Sequence, residues 1–155
     1  MSTDATPDAS SSSTPTTCRS HCLCGQISFS LRGIQGPCLL CYCTNCQRAS
    51  GSPCTWLELF RDAHVDADKG PELMRKFDDW ETKSGKVLER WFCSVCGSIL
   101  YAKSASGYTI LFVGAMDEKD GQPVERKEVK PSYGFFQKDR PVWAGSWELE
   151  EFVEE

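Results

Sequence analysis

Ten cysteines stand in a chain of 155 residues, and seven of them fall into three short motifs whose spacing suits metal binding. The first is Cys22-Leu23-Cys24-Gly25, the second Cys41-Tyr42-Cys43-Thr44-Asn45-Cys46, and the third Cys93-Ser94-Val95-Cys96-Gly97. A Cys-x-Cys pair in an extended segment turns both thiols to one face, because the strand period is two. Cys-x-x-Cys-Gly is a knuckle: a tight turn aims two sulfurs at one point, and the glycine permits a positive φ just after. Two plus two thiolates make the closed tetrahedral set that zinc favours. Cys22, Cys24, Cys93 and Cys96 are therefore expected to hold one structural Zn2+. The two pairs lie about 70 residues apart, so the ion would clamp distant parts of the chain and add to a modest core.

Cys41, Cys43 and Cys46 form a compact triplet with no fourth ligand nearby in the motif. Three protein ligands around one ion is the pattern of catalytic zinc. Three thiolates leave the site with a net charge near minus one and soften the metal. Such a site activates water modestly and suits a further soft thiolate, so a sulfur-bearing substrate could bind there deprotonated near neutral pH. Cys38 and Cys54 are the candidates to fill the fourth position instead, which would make the site purely structural; Cys38-Leu39-Leu40-Cys41 is itself a Cys-x-x-Cys.

Short strands are expected to carry these motifs. Ile27, Phe29 and Leu31 alternate with polar residues, which reads as a half-buried strand that residues 33–37 break. Residues 41–50 read as a loop or one short helix. Further strands are expected over 55–60 and 64–67, and over 73–80 and 87–92 on either side of a turn at Lys83-Ser84-Gly85-Lys86. Others follow over 98–102 and 108–113, with turns at Ser106-Gly107 and Asp120-Gly121; residues 147–153 read as a last strand or short helix. No long helical period appears, so the chain reads as mostly β in one domain over residues 18–155. Residues 1–17 are almost wholly Ser, Thr, Asp, Pro and Ala and read as a disordered tail, with Cys18 beside it as a free thiol.

Composition narrows the function. A net charge of -5 argues against nucleic acid as a partner. No apolar run approaches the roughly 20 residues that span a bilayer, so no membrane partner is expected. The first 17 residues have neither a basic nor an apolar segment of the secretory kind. The expected location is the cytoplasm or nucleus, where thiols stay reduced and short cysteine spacings mean metal rather than disulfides.

Taken together, three segments resemble the glutathione-dependent formaldehyde-activating enzyme family, whose domain is shared with centromere protein V. They are Cys22-Leu23-Cys24-Gly25; Cys41 to Cys46 continuing through Gln47, Arg48, Ser50 and Gly51 to Pro53; and Arg90-Trp91-Phe92-Cys93 through Tyr101. Residues 131–143 are similar to the family's C-terminal signature. The resemblance implies a β-tent fold of stacked antiparallel sheets with zinc knuckles, and two Zn2+ per chain. One is structural, on Cys22, Cys24, Cys93 and Cys96; the other is catalytic, on Cys41, Cys43 and Cys46. It implies a carbon–sulfur lyase that joins glutathione and formaldehyde as S-hydroxymethylglutathione, hence a small-molecule thiol as partner. Family members often carry His where this chain has Leu23 and Tyr133, which turns attention to other thiol adducts, including those of specialised metabolites.

Proton transfer needs further groups. Tyr133 is the family-aligned candidate for acid or hydrogen-bond donor, against a role in aromatic packing. Arg48, two residues past the last ligand, could pair with a substrate carboxylate, against a role on the surface. His21 and His64 read as surface residues. The rival classes are a non-catalytic zinc module that binds a protein and a redox-sensing thiol protein.

Overall fold

The structure is a computed structural model that describes residues 14–144 and the backbone of Glu150–Glu151. The chain is mostly β. Its strands are β1 (Thr16–His21), β2 (Ser28–Cys41), β3 (Thr55–Lys69), β4 (Met74–Asp79), β5 (Leu88–Cys93), β6 (Ile99–Ser104), β7 (Tyr108–Phe112), β8 (Met116–Lys119), β9 (Gln122–Pro123), β10 (Tyr133–Phe135) and β11 (Glu150–Glu151). One α-helix among the described residues, α1 (Thr44–Ser50), joins β2 to β3. The sheet runs β4-β5-β6-β7-β3-β2-β1-β8-β9, and every pairing along that path is antiparallel. β10 lies off the path and pairs in parallel with β2 and β11.

Two apolar clusters organise the sheet. The larger gathers Ile27, Phe29 and Leu31 with Phe60, Leu100, Leu111 and Met116, all at most 1% exposed. Phe29 meets Tyr101 with ring centroids 5.4 Å apart, so the β1–β2 and β6–β7 ends of the sheet fold towards each other over this cluster. The smaller holds Leu39, Cys41, Cys46, Leu57 and Leu59. β3 and β7 serve both, because successive side chains leave a strand on opposite faces. Leu57 and Leu59 join the smaller cluster and Phe60 the larger; Ile110 packs on the smaller and Leu111 in the larger.

Several expectations change in detail. β2 does not stop at residues 33–37: it continues opposite β3, with register shifts between Arg32 and Ile34 and between Gln35 and Cys38. These bulges absorb Pro37, which has no N–H to give a ladder. They also keep the backbones close at Gly33, where a Cβ would stand 2.7 Å from that of Ala63. The strands expected over 55–60 and 64–67 are one strand, β3. Thr16 and Thr17, expected in the tail, open β1, and Cys18 is not a tail thiol but fully buried within that strand. The expected tail up to residue 13, and most of the element expected over 147–153, lie outside the described residues.

Candidate metal centres

Cys22 and Cys24 sit in the turn between β1 and β2 rather than in an extended segment. Gly25 makes that turn at φ 70°, and its N–H donates to Cys22 O at 2.9 Å. Cys93 ends β5, and Cys96 stands in the knuckle that leads to β6. Gly97 takes φ 74° and its N–H donates to Cys93 O at 2.9 Å. The four sulfurs lie within 4.8 Å of one another. Cys22 Sγ is 3.4 Å from Cys24 Sγ, which is 3.9 Å from Cys93 Sγ. A tetrahedron with arms of about 2.3 Å has edges of about 3.8 Å, so the set fits a zinc-sized ion. Backbone Ile27 N–H donates to Cys22 Sγ at 3.3 Å. The Cys96 thiol is drawn down to about 5, chiefly by the Ser98 hydroxyl.

The second group forms where β2 ends and α1 begins. Cys41 is the last residue of β2, paired across to Thr55 and alongside Phe135 of β10. Cys43 is the N-cap of α1, and its sulfur accepts from the N–H of Cys46 at 3.4 Å. Gly51 closes the helix at φ 65°. One turn of helix thus brings Cys46 over the strand end, and all three sulfurs lie within 4.8 Å of one another. Cys41 and Cys46 are buried and Cys43 is half-buried. So close together, the three thiols cannot all ionise without a cation. Cys41 is pushed far up, through Cys43 first and then Cys46, while Cys46 is drawn down to about 2 by hydrogen bonds from Cys41 and then Cys43. A divalent ion in place of the shared protons resolves that conflict, so the donor set fits a thiophilic metal.

No other Cys, His, Asp or Glu among the described residues comes within that distance of all three sulfurs. Cys38 and Cys54, the candidates to close the set, are half-buried outside it. Burial raises both thiols, that of Cys38 to about 11.

A pocket of about 110 Å³ opens above the triplet. Leu57, Leu59, Ile110, Phe135 and Phe136 supply apolar wall, and Lys83 and Lys86 come from the β4–β5 hairpin. Arg90 lines it too, only 8% exposed. Its Nε and Nη2 donate to Asp79 Oδ2 at 3.0 and 2.9 Å. Asn45 Nδ2, from between two of the cysteines, reaches both Asp79 oxygens at 3.0 Å and also Glu81 O at 3.1 Å. Burial opposes the Arg90 charge, but the charges on Cys46 and Asp79 outweigh it and hold the guanidinium protonated. A cation is thus fixed beside a sulfur-rich centre, itself tied to the helix and to the hairpin.

Sequence reasoning assigned no role to Arg90, Asp79 or Asn45. The available signal was the parity of β5: Trp91 and Cys93 face the larger cluster, so Arg90 must face the pocket. Tyr133 packs against the smaller cluster in β10, beside Leu39 but not among the pocket residues. Arg48 does not reach the pocket either. It is exposed on α1 and borders a shallow depression with Pro53, Pro141 and Trp143. His21 bonds Asp117 through Nδ1 at 2.5 Å, and His64 bonds Asp66 at 3.0 Å; both are on the surface.

The model of the family described as glutathione-dependent formaldehyde-activating enzyme matches residues 17–139. No curated protein matches.

Proposed function

The chain belongs to the glutathione-dependent formaldehyde-activating enzyme family, and from that premise we propose that it is a zinc-dependent carbon–sulfur lyase acting on an adduct of glutathione or of another thiol. The observation that carries this reading is the triplet of Cys41, Cys43 and Cys46 beneath a pocket. A zinc ion held there would supply Lewis acidity and favour the thiolate form of a substrate thiol. The overall change balances simply. In the forming direction the thiol sulfur bonds to the carbonyl carbon, and the thiol proton ends on the carbonyl oxygen; in the breaking direction both moves reverse.

The chain's own groups take separate parts. Leu57, Leu59 and Ile110 keep water from the sulfur end of the pocket. Arg90 offsets the excess negative charge of three thiolates, and Asp79 with Asn45 fixes its position. Tyr133, which packs on the smaller cluster that holds Cys41 and Cys46 but does not line the pocket, is our candidate positioning residue rather than a direct donor to the reacting oxygen. The substrate carboxylate given to Arg48 by sequence is better met by Lys83 or Lys86, which line the pocket as Arg48 does not. Cys22, Cys24, Cys93 and Cys96 hold a second, structural zinc. A cytoplasmic location would keep all these thiols reduced.

Two measurements test this reading. Protein purified in reducing buffer should carry two zinc ions per chain. Cys43→Ser should carry one and lose the formation of hemithioacetal from glutathione and aldehyde. One zinc in the parent protein, or full activity in Cys43→Ser, overturns it.

A further inference from the structure

The pocket above the triplet has an uneven polarity that a small polar adduct does not call for. Its deep end holds the buried Cys41 and Cys46 together with Leu57 and Leu59, each at most 6% exposed. Above them stand half-buried apolar side chains from three segments: Val87 of the β4–β5 hairpin, Ile110 of β7, and Phe135 at the end of β10 with Phe136 just after it. Glutathione alone would bring two carboxylates, an amine and two amides to this wall, and each would have to be desolvated there. The same wall gives hydrocarbon a favourable place.

The cations are graded as well. Arg90 is occupied by Asp79. Lys83 pairs with Asp139 and lies over the Phe136 ring, 5.1 Å from its centroid. Lys86 is exposed at the rim, and its ammonium group pairs with no carboxylate among the described residues. The lining therefore combines soft metal donors at its buried end, a mostly apolar wall on which Thr82, Ser84, Ser104, Ser106 and Tyr108 also stand, and a free cation.

We infer that the pocket selects a thiol whose sulfur is followed by an apolar body of several carbons ending in an anion, rather than a uniformly polar thiol. This rests on the reading that the triplet holds a thiolate-binding metal, and it adds the class of thiol. Each methylene buried tightens binding about fourfold, so two buried methylenes are worth about sixteenfold. Lys86 adds selectivity for the anionic end, an exposed contact of smaller effect.

Isothermal titration of the zinc-loaded protein separates the two levels of the argument. The probes are 2-mercaptoethanol, 6-mercaptohexanol, 6-mercaptohexanoate and glutathione. The six-carbon alcohol should bind at least tenfold tighter than 2-mercaptoethanol, and the six-carbon acid a further two- to fivefold tighter. Lys86→Gln should abolish the preference for acid over alcohol and leave the effect of length intact. Val87→Asn, on the hairpin and outside the core clusters, should reduce the effect of length. If all four thiols bind within threefold of one another, or if glutathione exceeds 6-mercaptohexanoate by more than tenfold, the inference is overturned while thiol binding at the metal stands. If no thiol binds, the proposed function falls and this inference with it.

Discussion

Arg90→Met is the most informative single change in this protein. It removes one half of a buried ion pair and leaves the other half in place. Arg90 is 8% and Asp79 6% exposed, and two guanidinium nitrogens meet the carboxylate at 2.9 and 3.0 Å. Stranding a charge in this way costs about 3–5 kcal/mol. The lower end applies here, because Asn45 still donates to both Asp79 oxygens at 3.0 Å and a bond to a charged group is worth about 1.5 kcal/mol or more. We therefore expect a loss of about 3 kcal/mol. With a urea m-value of about 2 kcal/mol/M, the midpoint falls by about 1.5 M, measured with zinc in excess. Asp79→Asn should cost a similar amount, because Arg90 then keeps only its sulfur neighbour. The double variant Asp79→Asn/Arg90→Met buries no unpaired charge, and should be more stable than the sum of the single losses by at least about 1.5 kcal/mol. If Arg90→Met costs less than about 1 kcal/mol, or if the two changes add within about 0.5 kcal/mol, the pair does not hold the helix, hairpin and pocket together as argued.

Two further outcomes follow from the geometry. Gly70→Ala places a Cβ 2.3 Å from the backbone oxygen of Gln26 at φ +65°, so strain and clash together should cost about 2 kcal/mol or more; a urea midpoint within about 0.2 M of the parent's would refute this. Cys93→Ser should reduce bound zinc from two ions to one and lower the thermal midpoint by about 10 °C or more, whereas an unchanged melting curve would mean that the four-cysteine set adds nothing to stability.

What the sequence made legible was the chemistry of local motifs. Cys43 and Cys46 are joined by one turn of helix, and Cys93 and Cys96 by one knuckle, so spacing alone brings their sulfurs together. The hairpin turn at residues 83–86 was legible for the same reason: β4 and β5 pair from Met74↔Cys93 to Asp79↔Leu88 on either side of it. The continuation of β2 was not. Gly33, Gly36 and Pro37 read as breakers because their signal is local, while the 14-residue strand is maintained by its partner β3 and by bulges that only pairing reveals. Arg90 with Asp79 and Asn45 was illegible because three polar residues, 11 and 34 positions apart, look like ordinary surface groups until the sheet buries them. The same holds for Glu58, only 1% exposed inside β3, which accepts from Lys119 and Gln35. Cys18 read as a tail thiol because nothing polar or apolar before it announces a strand; its burial comes from pairing with both β2 and β8.

The two cysteine groups differ in what surrounds them, and that difference supports the proposed roles more firmly than their ligand number does. In the sheet order, β1 and β5 are separated by β6, β7, β3 and β2, yet Cys22, just past the end of β1, meets Cys93 at the end of β5. No ladder bond joins those ends; the sheet has to fold over its larger cluster to bring them together. An ion between them would hold the fold shut at the rim, where Cys24 is exposed and Cys96 half-exposed. A group placed there joins two wings of the scaffold, and a substrate bound to it would have to displace a strap. The Cys41 group is the opposite case. Its three residues lie within six positions, so holding them together needs only α1 and no long-range clamp. What the fold adds is the environment: an apolar wall from β3 and β7, a buried cation tied to Asp79, and an opening to solvent bordered by lysines. A scaffold that needed only a second staple has no use for that wall or that opening, whereas a centre that must receive a thiol and exclude water needs both.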